Sequence, residues 1–122
     1  MFTNFKHYVS LFVFILISAF NVLNAQTISV PTTTPGNYSV TATPASYTIY
    51  YVTTAPTVGS PVAYSPASTP NDQVTTADFS AGTASALISA SFTSPGTYYG
   101  VLVDATNYVV AVSPTTMNVT AG

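Results

Sequence analysis

Beyond residue 25 the sequence holds few side chains that can do chemistry. Lys6 and His7 are its only basic side chains, and no Glu, Cys or Trp occurs in the 122 residues. A serine nucleophile would therefore lack a histidine or lysine base, and no thiolate exists. Zinc would find neither imidazole nor thiolate and would be left with carboxylates. An enzyme is not expected from this inventory, nor is any cofactor. The remaining charge lies on Asp72, Asp78 and Asp104. Asn71, Asp72 and Asp78 could join backbone carbonyls in an oxygen cage for calcium. The competing reading of "PNDQ" (70–73) is a turn capped by Asn71 and Asp72, and Asp104 suits a hairpin turn for the same reason. Aspartates without basic partners predict a stability that is nearly flat from neutral pH to about pH 3. Two triplets, Asn37-Tyr38-Ser39 and Asn118-Val119-Thr120, are candidate N-glycosylation sites in a cell that glycosylates exported chains.

The first 25 residues read as a secretory signal peptide. Lys6 and His7 form a short basic start, Val9 to Phe20 an apolar core, and "NVLNA" leads to a cut after Ala25. That core is shorter than the roughly 20 residues a membrane-spanning helix needs, although an uncleaved N-terminal anchor is the alternative. Cleavage predicts a secreted, extracellular chain with no membrane span, its N-terminus at Gln26. Residues 26–122 suit one domain. Removing Lys6 and His7 leaves no basic side chain, which excludes nucleic acid and anionic membrane surfaces as partners. An exported chain without cysteine has no disulfide and must rely on its core.

The elements that position these residues are strands. The polar side of the composition is 21 Thr and 14 Ser, and with Val and Tyr these suit a pleated, half-buried surface. Nine prolines make long helices improbable. Short alternating runs predict strands near 27–30, 37–43, 46–53, 61–64, 73–79, 84–92, 97–104, 107–112 and 115–120. In "SYTIYYVTT" Tyr47, Ile49 and Tyr51 share one face, and Thr48, Tyr50 and Val52 the other. Pro56, Pro61, Pro66 and Pro70 mark an edge strand with loops, or an extended connection.

The stretch "FTSPGTYYGVLVDATNYVVAV" (92–112) resembles the last hairpin of an immunoglobulin-like antiparallel β-sandwich of the fibronectin type III or PKD kind. In those families a Pro-Gly-Thr turn precedes a tyrosine that closes the corner between the sheets. The resemblance implies an all-β fold in which Pro95, Gly96 and Thr97 form the turn. A fibronectin-like register makes Tyr99 the structural corner, sharing its apolar face with Val101 and Val103. A PKD-like register selects Tyr98. The first is preferred, which leaves Tyr98 on the outer face. The tryptophan common in these folds and the Asp-Gly pair of PKD domains are absent.

Two uses of such a domain compete, and neither follows from the fold alone. Soluble sandwiches guard edges with lysine, inward charge or proline, and here only the proline-bearing stretch is guarded. That favours a cell-surface structural protein that self-assembles into a fibre or coat, with Ile28 and Val30 of "QTISVPTTTPG" as donor-strand candidates. In this respect the chain resembles strand-exchanging surface filament subunits of prokaryotes. The alternative is an adhesin or carbohydrate-binding module, with Tyr50, Tyr64 or Tyr98 as exposed platforms for a glycan, or a fragment of a tandem-repeat adhesin. Partners are accordingly further copies, other surface proteins or a glycan.

Overall fold

A computed structural model describes residues 26–120, so the reading of residues 1–25 as a leader lies outside the described residues. Eight strands are present among them: β1 (Thr27–Ser29), β2 (Asn37–Thr41), β3 (Tyr47–Val52), β4 (Asn71–Val74), β5 (Thr83–Leu87), β6 (Gly96–Val103), β7 (Val109–Val112) and β8 (Met117–Val119). Apart from a single turn of 3-10 helix at Thr76–Asp78, there is no helix among the described residues. The strands form two antiparallel sheets. One has the order β1-β2-β5. The other has the order β4-β3-β6-β7, with β8 pairing the first half of β6.

The period-two pattern explains why these sheets meet. Ile28, Tyr38, Val40 and Ala84 of the three-stranded sheet pack with Tyr47, Ile49, Tyr51, Val74, Leu102 and Met117 of the other in one core. Each large apolar side chain buried there contributes about 1.5–3 kcal/mol. Phe92, in the β5–β6 connection, lies 5.0 Å from the Tyr98 ring and 5.5 Å from the Tyr51 ring between centroids.

The five-stranded sheet is also buried on its second face. Tyr50, Val52, Val101, Val103 and Val109 form a separate cluster, against which Val62, Tyr64, Tyr99 and Val112 pack. The proline-bearing segment supplies that cover. Residues 61–64, expected as a strand, pair only through an isolated bridge between Pro61 and Tyr108, because proline cannot donate to a ladder. The segment is nevertheless fastened along the β7 edge. Gly59 donates to Val109 O, Val109 to Ser60 O and Val62 to Asn107 O.

This two-faced burial corrects the expected corner. The buried corner tyrosine is Tyr98, 8 % exposed, whose hydroxyl donates to Ser94 O at 2.7 Å. Tyr99 is half-buried on the opposite face with Val101 and Val103. The apolar run after Tyr99 is real, but it fills the second cluster rather than the core between the sheets. Tyr47 makes an equivalent bond, its hydroxyl donating to Thr43 O at 2.8 Å. Both tyrosines stand at the end of a Thr/Ser-Pro-x-x-Tyr run, Thr43–Tyr47 and Ser94–Tyr98. A third run, Thr34–Tyr38, ends in the buried Tyr38.

Candidate interaction edge and face

The residues singled out for chemistry fall into separate structural jobs. Asp72 lies on the core face of β4, 6 % exposed, rather than in a surface turn. Its carboxylate accepts from Tyr51 Oη at 2.7 Å, from the Ser89 N–H at 3.1 Å and from the Ser89 hydroxyl. It thus ties the β5–β6 connection to the edge of the larger sheet. Burial, the Asp72 hydrogen bond and the Asp72 charge push the Tyr51 phenol far up. Burial, then the charges of Asp72 and Asp78, also raises Tyr38. Asp78 instead caps the 3-10 turn, accepting from the Thr75 N–H at 2.7 Å and the Thr75 hydroxyl at 3.1 Å. Asn71 donates to Thr69 O at 2.8 Å and to Pro66 O at 3.0 Å. The three calcium candidates are therefore each engaged with different partners. No group of three or more His, Cys, Asp or Glu occurs among the described residues.

Asp104 occupies the β6–β7 hairpin as expected. One carboxylate oxygen accepts from the Thr106 hydroxyl at 2.7 Å, the Thr106 N–H at 3.0 Å and the Tyr108 N–H at 3.1 Å. Partial burial pulls this carboxyl upward, but those hydrogen bonds outweigh it and its pKa is lowered.

The platform tyrosines are not exposed. Tyr50 is 4 % exposed, and burial raises its phenol. Tyr64 is half-buried with its ring centroid 5.4 Å from that of Tyr50, and Tyr98 is the corner. These rings cover the sheet instead of displaying themselves. Of the described tyrosines, Tyr108 is the exposed one, at 46 %. The sequon residues Asn37 and Asn118 are both exposed.

The donor-strand candidates are seated within their own chain. β1 pairs with β2, and Ile28 is 2 % exposed. Gly100 makes room for them: a Cβ there would stand 2.6 Å from Val30 Cγ1 and 3.3 Å from Ile28 Cδ1. A gap in β6 is thus filled by two branched side chains, Ile28 of β1 and Val30 just beyond it. The sequence pattern offers Ile28 and Val30 as donors to another copy, whereas here they pack against Gly100 of their own chain.

What the structure leaves open is the outer side of the three-stranded sheet. Register brings Thr27, Thr41 and Thr83 into one row across β1, β2 and β5, and Ser29, Ser39 and Ser85 into the next. Neighbours within a row are about 4.8 Å apart, and the rows about 6.7 Å apart. Thr41 and Thr83 hydroxyl oxygens lie 3.5 Å from each other. The face carries no charge, and its one large apolar residue is Leu87, 60 % exposed.

Among the described residues, both edges of that sheet lack a backbone partner strand. Ala42 donates to Gly82 O and Ile88 donates to Gly36 O, bracketing the β2–β5 ladder. Bonded and non-bonded pairs alternate in an antiparallel ladder, so Ser85 and Leu87 turn their N–H and C=O groups away from β2. Thr83 closes onto Ser80. By the same alternation Ile28 and Val30 direct their backbone groups away from β2. Ile28 borders a groove lined also by Val58, Val110, Val112 and Pro114. No family model, curated protein or solved structure matches this chain.

Proposed function

We propose that the chain is an exported immunoglobulin-like sandwich that acts as cell-surface structural material and joins copies through the free edges of its three-stranded sheet. The strand order β1-β2-β5 facing β4-β3-β6-β7 supports the fibronectin-type architecture, as does the Tyr98 corner. The observation that carries assembly is the β5 edge. Ser85 and Leu87 offer backbone donors and acceptors on a strand with neither charge nor proline, beside an exposed leucine. Such an edge is a template for another strand. Gel filtration with light scattering and negative-stain microscopy of residues 26–122 tests this. Oligomers or filaments are expected, and Leu87→Lys should return them to monomer without lowering the melting temperature. A wild-type chain that stays monomeric at every concentration overturns the reading.

A second reading, surface binding, moves from the tyrosines to the hydroxyl rows. Six regularly spaced Thr and Ser side chains on an uncharged sheet face suit an ordered hydroxylated surface such as a polysaccharide particle. Co-sedimentation with insoluble cellulose or chitin, lost in Thr41→Arg, would favour it. Failure of the wild type to sediment would remove it.

A further inference from the structure

The head of β1 carries a residue with chemistry of its own. Gln26 is half-buried, and its amide Nε2 donates to Tyr47 Oη at 3.4 Å. On the reading of residues 1–25 as a cleaved leader, on which this inference rests, Gln26 becomes the N-terminal residue. An α-amino group has a pKa of about 7.7–8.0, so part of it is neutral and nucleophilic near pH 7. It sits in the same residue as a carboxamide whose Cδ it reaches in a five-membered ring.

We propose that Gln26 is a modification site that closes to pyroglutamate after cleavage. The α-nitrogen attacks Cδ and forms the lactam C–N bond. The Cδ–Nε2 bond breaks, and the amine proton passes through water to the departing nitrogen, which leaves as ammonia. The step needs no oxidant, reductant or cofactor. The fold accepts the loss of Nε2, because the Tyr47 hydroxyl keeps its 2.8 Å bond to Thr43 O. Lys6 is the only lysine in the sequence and departs with the leader. Closing the lactam therefore removes the last primary amine, and the processed chain carries no cation at all.

Top-down mass spectrometry of the full chain after export, with an amine-reactive dye as second readout, tests this. A product that begins at Gln26, is lighter than the open chain by one ammonia and takes up no dye is expected. Gln26→Asn would need a strained four-membered ring and should label once. A product beginning at Gln26 that keeps its ammonia and labels like Gln26→Asn overturns the inference while leaving the leader reading intact. A product that still begins at residue 1 overturns the leader reading, and the inference with it.

Discussion

The two sheets are built from the same Thr-, Val- and Tyr-rich alphabet, yet one is buried on both faces and the other on one. In the five-stranded sheet β6 sends Tyr98 and Leu102 into the core between the sheets and Val101 and Val103 into the second cluster. Its β7 edge is covered over 107–109 by the Gly59–Val62 backbone, and its β4 edge is only four residues long. Among the described residues the three-stranded sheet has no second cover. Its outer face is hydroxyl rows, and its β5 edge ends at exposed Leu87. Prolines 56, 61, 66 and 70 thus serve the sheet that is sealed, while the open sheet has no proline inside its strands. Among the described residues edge protection is local, and the covering segment lies on one sheet.

The largest expected effect separates the two faces of β6. Tyr98→Ala should cost about 3–5 kcal/mol, the usual range for deleting a buried aromatic. Tyr99→Ala, on the half-covered second face, should cost about 1–2 kcal/mol. Urea midpoints of the two variants check this, and the reverse order would mean that the second cluster is the dominant core. Tyr98→Phe isolates the bond to Ser94 O and should cost about 0.5–1.5 kcal/mol.

Two substitutions probe how the sheets are held to each other. Asp72→Ala leaves Tyr51 Oη and the Ser89 N–H without their acceptor, at about 1–3 kcal/mol. A chelator should leave the melting temperature of the wild type unchanged, since Asp72 is engaged by Tyr51 and Ser89. Gly100→Ala places a Cβ against Val30 and Ile28 and should cost about 1–3 kcal/mol through overpacking. It should also speed hydrogen exchange in β1 more than in β3. Equal acceleration in both strands would show that β1 is not the element that yields.

Much of this was legible in the sequence. The alternation over 46–53 places Tyr47, Ile49 and Tyr51 on the core face of β3, the runs near 27–30, 37–43 and 107–112 contain β1, β2 and β7, and the run near 97–104 covers all of β6 but Gly96. The choice of Tyr99 failed because apolarity cannot tell two faces apart when both are buried. The Thr/Ser-Pro-x-x-Tyr runs carried the missing information, since two of their tyrosines bond the carbonyl four residues back. Asp72 was misplaced because β4 starts at Asn71, which converts a turn residue into a core-facing one. The Gly100 gap pairs residues 70 positions apart, and no local pattern reports such a contact.

The smallest effect concerns pH, where a flat profile was expected from aspartates without basic partners. The Asp104 hairpin departs from it. Its carboxyl is held below the ordinary aspartate value by hydrogen bonds that the unfolded chain lacks. A group whose folded pKa is depressed stabilises the fold above its unfolded pKa, and the contribution is lost as pH falls through the folded value. Wild-type stability should therefore decline from about pH 5 toward pH 2, by an amount kept small by the solvent around this hairpin. Asp104→Asn cannot titrate and should show a shallower decline, with Thr106→Val between the two because it removes only the hydroxyl bond. Urea midpoints at both pH values for the three chains supply the comparison. Equal slopes in all three would place the acid sensitivity elsewhere than the hairpin of the sealed sheet.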